Sequence, residues 1–322
     1  MNYRLIAKFM GSFTLALAML MLPSILWAFY FGDEWEALIA FCKSIGITLV
    51  ISLIFTGIGK GASKKMFQRE ALLIVALSWI VASAIGALPY YLSGSLGVVD
   101  ATFESTSGFT TTGATVLQDI EGQPKSLLFW RALSQWLGGA GIVVLFIAVL
   151  PYLGAGGKQL FKTESTGTDP RGITPRIKDT ATMLYKTYFA LTVVMTITLM
   201  VANLSFYDAI CHTLTTLSTG GFSTQQASIA AFDSVAVEST ILVFMIIGGT
   251  SLSLIFLMFN RDWKAPFKDT EWRMYVGIAM TLVLVVTANL VYGTHYVDGA
   301  AQEGGYESGH AFRIAAFQVV SI

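Results

Sequence analysis

Seven apolar blocks, at about 9–31, 36–58, 71–92, 126–153, 183–204, 237–259 and 274–292, are each long enough to cross hydrocarbon as a helix, which takes about 20 residues. Few folds remain open to such a chain. A bilayer core offers no water, so backbone polar groups must bond within the segment and blocks of this kind span as helices. Composition agrees, because 54% of the 322 residues are hydrophobic and 12% charged, too little charge to cover a soluble domain of this size. The expected fold class is therefore all-α integral membrane. Arg4 and Lys8 precede the first block as they would in a signal peptide. That block is too long for a signal core and lacks a small-residue cleavage site, so it is expected to be the first spanning helix.

Charge distribution orients the helices. Sixteen of the twenty Lys and Arg fall on one side: Arg4 and Lys8, then the stretches from Lys60 to Arg69, Lys158 to Lys186 and Arg261 to Arg273. Seven acids share that side and thirteen lie opposite. The cation-rich side is expected to be cytoplasmic, with the N-terminus inside. Segments 98–116 and 205–226 then leave the outer face and return to it without crossing. Irregular backbone at membrane depth is tolerated only where protein buries it or it lines a water-filled cavity. The expected unit is helix, pore loop, helix, and it repeats.

The repeat is visible in the letters. Thr111-Thr112-Gly113-Ala114-Thr115 echoes Ser218-Thr219-Gly220-Gly221-Phe222, with the first glycines 107 residues apart. Gly138-Gly139-Ala140-Gly141 echoes Gly248-Gly249-Thr250-Ser251 at a step of 110. Ala101-Thr102-Phe103-Glu104 resembles Ala209-Ile210-Cys211-His212 and then Ala315-Ala316-Phe317-Gln318. Adding 107 to Gly220 puts a third glycine near 327, past Ile322, so a third unit is expected to be cut within its pore helix.

Such loops suit a dehydrated monovalent cation. Rings of backbone carbonyls replace its water, glycine takes positive φ without steric penalty, and Thr and Ser add hydroxyl acceptors. Short helices over 101–109 and 207–216 would aim their partly negative C-terminal ends at the cation. The candidate coordinating residues are Thr111, Thr112, Gly113, Ser218, Thr219 and Gly220, flanked by Thr110, Ala114 and Gly221.

On these motifs, Ser107 to Thr115 and Leu217 to Thr224, the chain resembles the Trk/Ktr/HKT potassium transporter superfamily, and its two extra N-terminal helices resemble the TrkH branch. The resemblance implies pore-loop units arranged pseudo-fourfold around one pore, with one glycine per filter and potassium as the transported ion. It also implies a homodimer in membrane lipid and a cytoplasmic nucleotide-binding regulatory ring of the TrkA type. The expected organisation is 1–69, two extra helices; 70–157, first unit; 158–180, cytoplasmic linker; 181–262, second unit; 263–322, start of a third. A solute carrier with broken helices and a non-conducting membrane subunit are the rival readings. An enzyme is not expected, since His212, His295 and His310 fall in separate loops and no cluster has catalytic or metal spacing. Neither a cofactor nor a nucleic-acid partner is expected.

Other residues stay open at this level. Lys43 either snorkels, pairs structurally or marks an ion path. Arg131 and Arg313 are placed to pair with Glu104 or Asp100 and brace a pore helix, or to be solvated. Glu104 and His212 either pack and bond to the loops or tune the local field. The glycine pairs 138–139 and 248–249 either permit close helix approach or act as hinges. Cys42 and Cys211 are expected to be apolar filler.

Overall fold

A computed structural model describes residues 1–63, 67–149, 177–259, 262–297, 300–303 and 306–322. Of the expected linker over 158–180, residues 158–176 lie outside these residues and 177–180 fall in the helix that starts at Ile177. The helices are α1 (Tyr3–Leu20), α2 (Leu22–Phe31), α3 (Trp35–Ile58), α4 (Gln68–Gly86), α5 (Leu88–Leu92), α6 (Val98–Phe109) and α7 (Lys125–Val149). They continue as α8 (Ile177–Val201), α9 (Phe206–Leu217), α10 (Val235–Gly248), α11 (Leu252–Phe259), α12 (Ala265–Lys268), α13 (Thr270–Tyr292) and α14 (Ser308–Ser321). Among the described residues the architecture is all-helical except for a 3-10 turn (Ser228–Phe232) and one antiparallel hairpin, β1 (Thr294–Val297) with β2 (Ala300–Glu303). Thr, Tyr and Val in β1 are residue types that favour extended backbone.

Among the described residues five helical stretches are long and apolar enough to cross a membrane: Tyr3–Phe31, Trp35–Ile58, Arg69–Leu92, Thr182–Val201 and Thr270–Tyr292. The chain is a multi-pass membrane protein. The expected single helix over 237–259 is divided instead. α10 and α11 meet at a bend of 104° across Gly249-Thr250-Ser251. Gly249 has no side chain to resist the turn, and the Thr250 hydroxyl bonds back to the Ile246 carbonyl at 2.8 Å, which competes with helix continuation. Nothing similar happens at Gly138–Gly141, where α7 runs on unbroken.

Many polar side chains inside the apolar helices are satisfied locally. Thr14, Ser44, Thr48, Ser78, Thr192 and Thr196 each donate to the carbonyl one turn back. Where helices touch closely the contact residue is small. A Cβ on Gly11 of α1 would overlap Thr56 of α3, and Ser52 of α3 donates to the Gly11 carbonyl at 2.7 Å.

The N-terminal hairpin of α1, α2 and α3 is tied to the first unit. Gly32 caps α2 in the left-handed conformation (φ 65°), and the next residue, Asp33, reaches α7. Its carboxylate accepts from the backbone N–H of Lys125 at 3.1 Å and of Ser126 at 2.8 Å. These are donors that the first turn of a helix leaves unpaired. Asp33→Ala is expected to lower stability by about 1–2 kcal/mol, the worth of a cap, with Asp33→Asn in between. Thermal unfolding of the purified variants checks this.

The short helices have a consistent neighbourhood. α6 packs on α4 and α7; α9 on α8, α10 and α7; α14 on α13 and α10. The second and third short helices thus each lie on the first long helix of their own unit and on the second long helix of the unit before. Ala101, Ala209 and Ala315, matched in the sequence repeat, are all fully buried on these helices.

Candidate functional site

The two loops come directly after α6 and α9, and each helix is twelve residues long. Both loops fold the same way. Thr111 (φ 55°) and Thr219 (φ 56°) take left-handed backbone that L-residues rarely adopt, and Gly113 (φ 77°) and Gly221 (φ 78°) follow two residues later. The hydrogen bonds match as well. Thr112 N–H donates to the Ser107 carbonyl and Gly220 N–H to the Thr215 carbonyl, both at 2.9 Å. Thr111 N–H and Thr219 N–H reach the carbonyls of Gly108 and Thr216, both at 3.0 Å. Strain of this kind costs about 1–3 kcal/mol, so its recurrence marks a conformation that the surroundings impose.

This geometry corrects the register read from the sequence. The step is 108, not 107: Gly113 corresponds to Gly221, and Gly220 corresponds to Thr112. The adjacent glycines at 220 and 221 make either alignment of the loops equally good in letters, and backbone φ and hydrogen bonds separate them.

The structure also divides the named residues. Thr110, Thr112 and Ala114 are exposed in the first loop, with Thr111 and Gly113 half-buried; Thr219 and Gly221 are exposed in the second. Ser218 and Gly220 are buried. The Ser218 hydroxyl turns back onto its own helix, donating to the Leu214 carbonyl at 2.8 Å. The Thr110 and Thr112 hydroxyls bond each other at 2.8 Å. The loops lie against one another: a Cβ on Gly113 would overlap the Gly220 carbonyl oxygen, and Phe222 reaches Gly108 of α6.

Glu104 and His212, also 108 apart, are buried and brace the loops at the ends of their helices. Glu104 accepts from the Thr115 hydroxyl at 2.9 Å and from Val116 N–H at 3.0 Å. His212 bonds through Nε2 to the Ser223 hydroxyl at 3.0 Å and through Nδ1 to the Asp208 carbonyl at 2.8 Å. A carbonyl only accepts, so Nδ1 carries the proton and, in the neutral ring, Nε2 accepts from Ser223. Thr115 and Ser223 are again 108 apart.

Arg131 pairs with Glu104, as one of its sequence alternatives had it: Nε stands 2.6 Å from the carboxylate, and the two side chains are 2% and 0% exposed. It also reaches the other loop. One terminal nitrogen donates to the Ser223 carbonyl at 2.9 Å, and the guanidinium lies 3.6 Å from the centre of the Phe222 ring. Arg313 does not join this site; it pairs at 3.0 Å with Glu238 of α10, because α14 packs there rather than against α6. Lys43 is exposed on α3.

The glycine pairs serve close approach at all four positions. A Cβ on Gly138 would overlap the Phe109 carbonyl at the end of α6, and one on Gly139 would press on Ser218 of the second loop. A Cβ on Gly248 would stand 3.2 Å from the Thr216 carbonyl at the matching end of α9, and one on Gly249, at the bend, 3.0 Å from the Tyr275 hydroxyl of α13.

Gln135 was not singled out by sequence reasoning. It lies one turn beyond Arg131 on the same face of α7, is fully buried, and bonds to the second loop at Gly220 and Phe222. Its signal was present, since a lone primary amide in an apolar helix needs partners. Among the described residues no group of three or more His, Cys, Asp or Glu is placed to hold a metal ion.

Comparison with known proteins gives a consistent answer. The TrkH family, described as cation transport protein, matches residues 43–322. The chain is 38% identical to the Trk system potassium uptake protein TrkH of Salmonella typhimurium and 37% identical to that of Escherichia coli K12, in both cases along 100% of this chain and 65% of the relative. It thus spans just under two thirds of the length of these curated relatives. The crystal structure of the potassium transporter TrkH from Vibrio parahaemolyticus superposes with a TM-score of 0.84 at 32% identity, covering 100% of this chain and 64% of that one. Matched by the family over 43–322 and by these relatives from end to end, the chain belongs to the TrkH family of cation transport proteins.

Proposed function

We propose that this chain forms part of a potassium uptake pore, in which the loops after α6 and α9 are two walls of a selectivity filter. The observation that carries the reading is the matched strained backbone at Thr111/Thr219 and Gly113/Gly221, in loops that lie against each other. Thr110, Thr111, Thr112 and Gly113 supply oxygens from the first loop, and Thr219 and Gly221 from the second, where the Gly220 carbonyl is held by Gln135. Ser218 contributes by anchoring its loop. The units divide as 70–157, 181–262 and 263–322, with 1–69 an added hairpin.

The relatives named for potassium uptake support potassium as the ion. The charge asymmetry supports a cytoplasmic N-terminus in a bacterial inner membrane. A homodimer and a cytoplasmic nucleotide-binding ring of the TrkA type belong to the same reading, as does a transporter without enzymatic chemistry or cofactor. The natural gene product, expressed in a bacterial strain lacking its own potassium uptake systems, should restore growth at low external potassium and take up potassium in preference to sodium. Absence of potassium-dependent rescue, with the protein present in the membrane, overturns the reading.

A further inference from the structure

The two loops are not held alike, and the difference points to a residue outside both of them. Gln135 stands in the middle of α7, which belongs to the first unit, yet both ends of its amide are used by the second loop. Nε2 donates to the Gly220 carbonyl at 2.9 Å, and Oε1 accepts from the Phe222 N–H at 3.1 Å. These two backbone groups flank Gly221, the exposed left-handed glycine. The amide therefore clips the peptide on each side of that glycine and fixes how both planes are turned. Space is fitted to the clip: a Cβ on Gly220 would overlap the Gln135 amide itself. The same Gly220 carbonyl oxygen abuts Gly113 of the first loop. Gln135 and Gly113 thus meet at the Gly220 carbonyl oxygen, and the amide sets the position of that oxygen between the two loops.

Arg131, four residues earlier and on the same helix face, holds the next two residues of the second loop. Its guanidinium covers the Phe222 ring and donates to the Ser223 carbonyl. The second unit's own long helix carries no such pair. Aligning Gly138 with Gly248, each of which sits at the end of its own short helix, puts Met245 and Ile241 where α7 has Gln135 and Arg131. Neither side chain makes both a donor and an acceptor contact of this kind. Among the described residues the clamp belongs to the boundary between the first and second units.

We infer that Gln135 is a positioning residue for ion selectivity: an amide of the first unit that sets the carbonyl geometry of the second loop across the boundary. It touches no ion. The inference rests on the proposed potassium pore. A loop whose backbone is unclipped relaxes around the smaller, more strongly hydrated cation as readily as the larger one, so discrimination falls before conduction does.

The test is made in the natural gene product, with potassium and sodium uptake measured in the same cells and the thermal midpoint measured on purified protein. Gln135→Met keeps volume and removes both bonds. It should lower the potassium-over-sodium ratio by about tenfold, the effect of losing two ordinary hydrogen bonds, while potassium uptake persists. Gln135→Glu keeps size and one acceptor, and should fall between the two. If Gln135→Met fails to reach the membrane, Gln135→Glu decides alone. Wild-type protein that discriminates while the folded variants discriminate equally well overturns the role of Gln135 and leaves the pore standing. Wild-type protein that shows no preference at all overturns the pore reading and this one with it. A variant that loses thermal midpoint without any change in the uptake ratio shows a merely structural residue and also overturns the inference.

Discussion

Replacing Arg131 with methionine is expected to cost the protein about 3–5 kcal/mol of stability, a large share of what a folded protein has to lose. The reason is the carboxylate left behind. Glu104 is fully buried, and Arg131 is the cation that sits against it at 2.6 Å. A buried charge stripped of its partner keeps its desolvation penalty and loses the attraction that offset it. The second variant to make is therefore the double one, Arg131→Met with Glu104→Gln, which removes both charges. It should recover much of the loss, giving a large coupling between the two positions in a double-mutant cycle. Arg131→Lys should not rescue, because one ammonium cannot reach Glu104 and the Ser223 carbonyl and still lie flat on Phe222. Thermal or denaturant unfolding of the purified variants measures all three. A single variant within about 1 kcal/mol of wild type, as at an exposed pair, would mean that water reaches Glu104 and that the pair does not hold the loops.

Gly113→Ser is expected to abolish most discrimination between potassium and sodium, a drop of about tenfold or more in the uptake ratio. Two separate obstacles act at this position. The backbone sits at φ 77°, which costs an L-residue about 1–2 kcal/mol. The new Cβ would also overlap the Gly220 carbonyl oxygen, which the Gln135 amide already holds in place. Gly221 separates the two effects. It has the same backbone at φ 78° but open space around it. Asparagine tolerates left-handed backbone better than other side chains. Gly221→Asn should therefore keep most of the discrimination and Gly113→Asn should not. Equal uptake ratios for those two variants would show that backbone strain alone matters and that the contact between loops does not.

The register shift shows what a sequence can and cannot specify here. Ser218-Thr219-Gly220-Gly221 contains two glycines, and the letters of the loop alone do not prefer the second. Positive φ at Thr219 and Gly221 settles it, and that conformation is imposed by neighbours 80 or more residues away, such as Gln135. The same limit applies to the block over 237–259. Its composition is that of a spanning helix, and the bend after Gly248 cannot be read from hydropathy. Arg131 was legible as a brace for Glu104 because both lie near the outer ends of their segments. Its reach to Ser223 and Phe222 was not, because contacts between units depend on how α7 crosses α9. Arg313 was misplaced for the same reason: its partner Glu238 lies on α10, which only the packing of α14 selects.

By itself the sequence determined that the chain lives in a membrane, that its long helices alternate with short segments, and that two of those segments are versions of one loop. Hydrophobic length, charge asymmetry and turn residues are local properties, and local properties survive without a fold. The tertiary structure decided which glycines correspond, which of the loop residues are exposed, and that the second loop is held by a helix of the first unit. Those depend on side chains meeting across long separations in the chain. A buried amide or guanidinium has no function until packing gives it a partner.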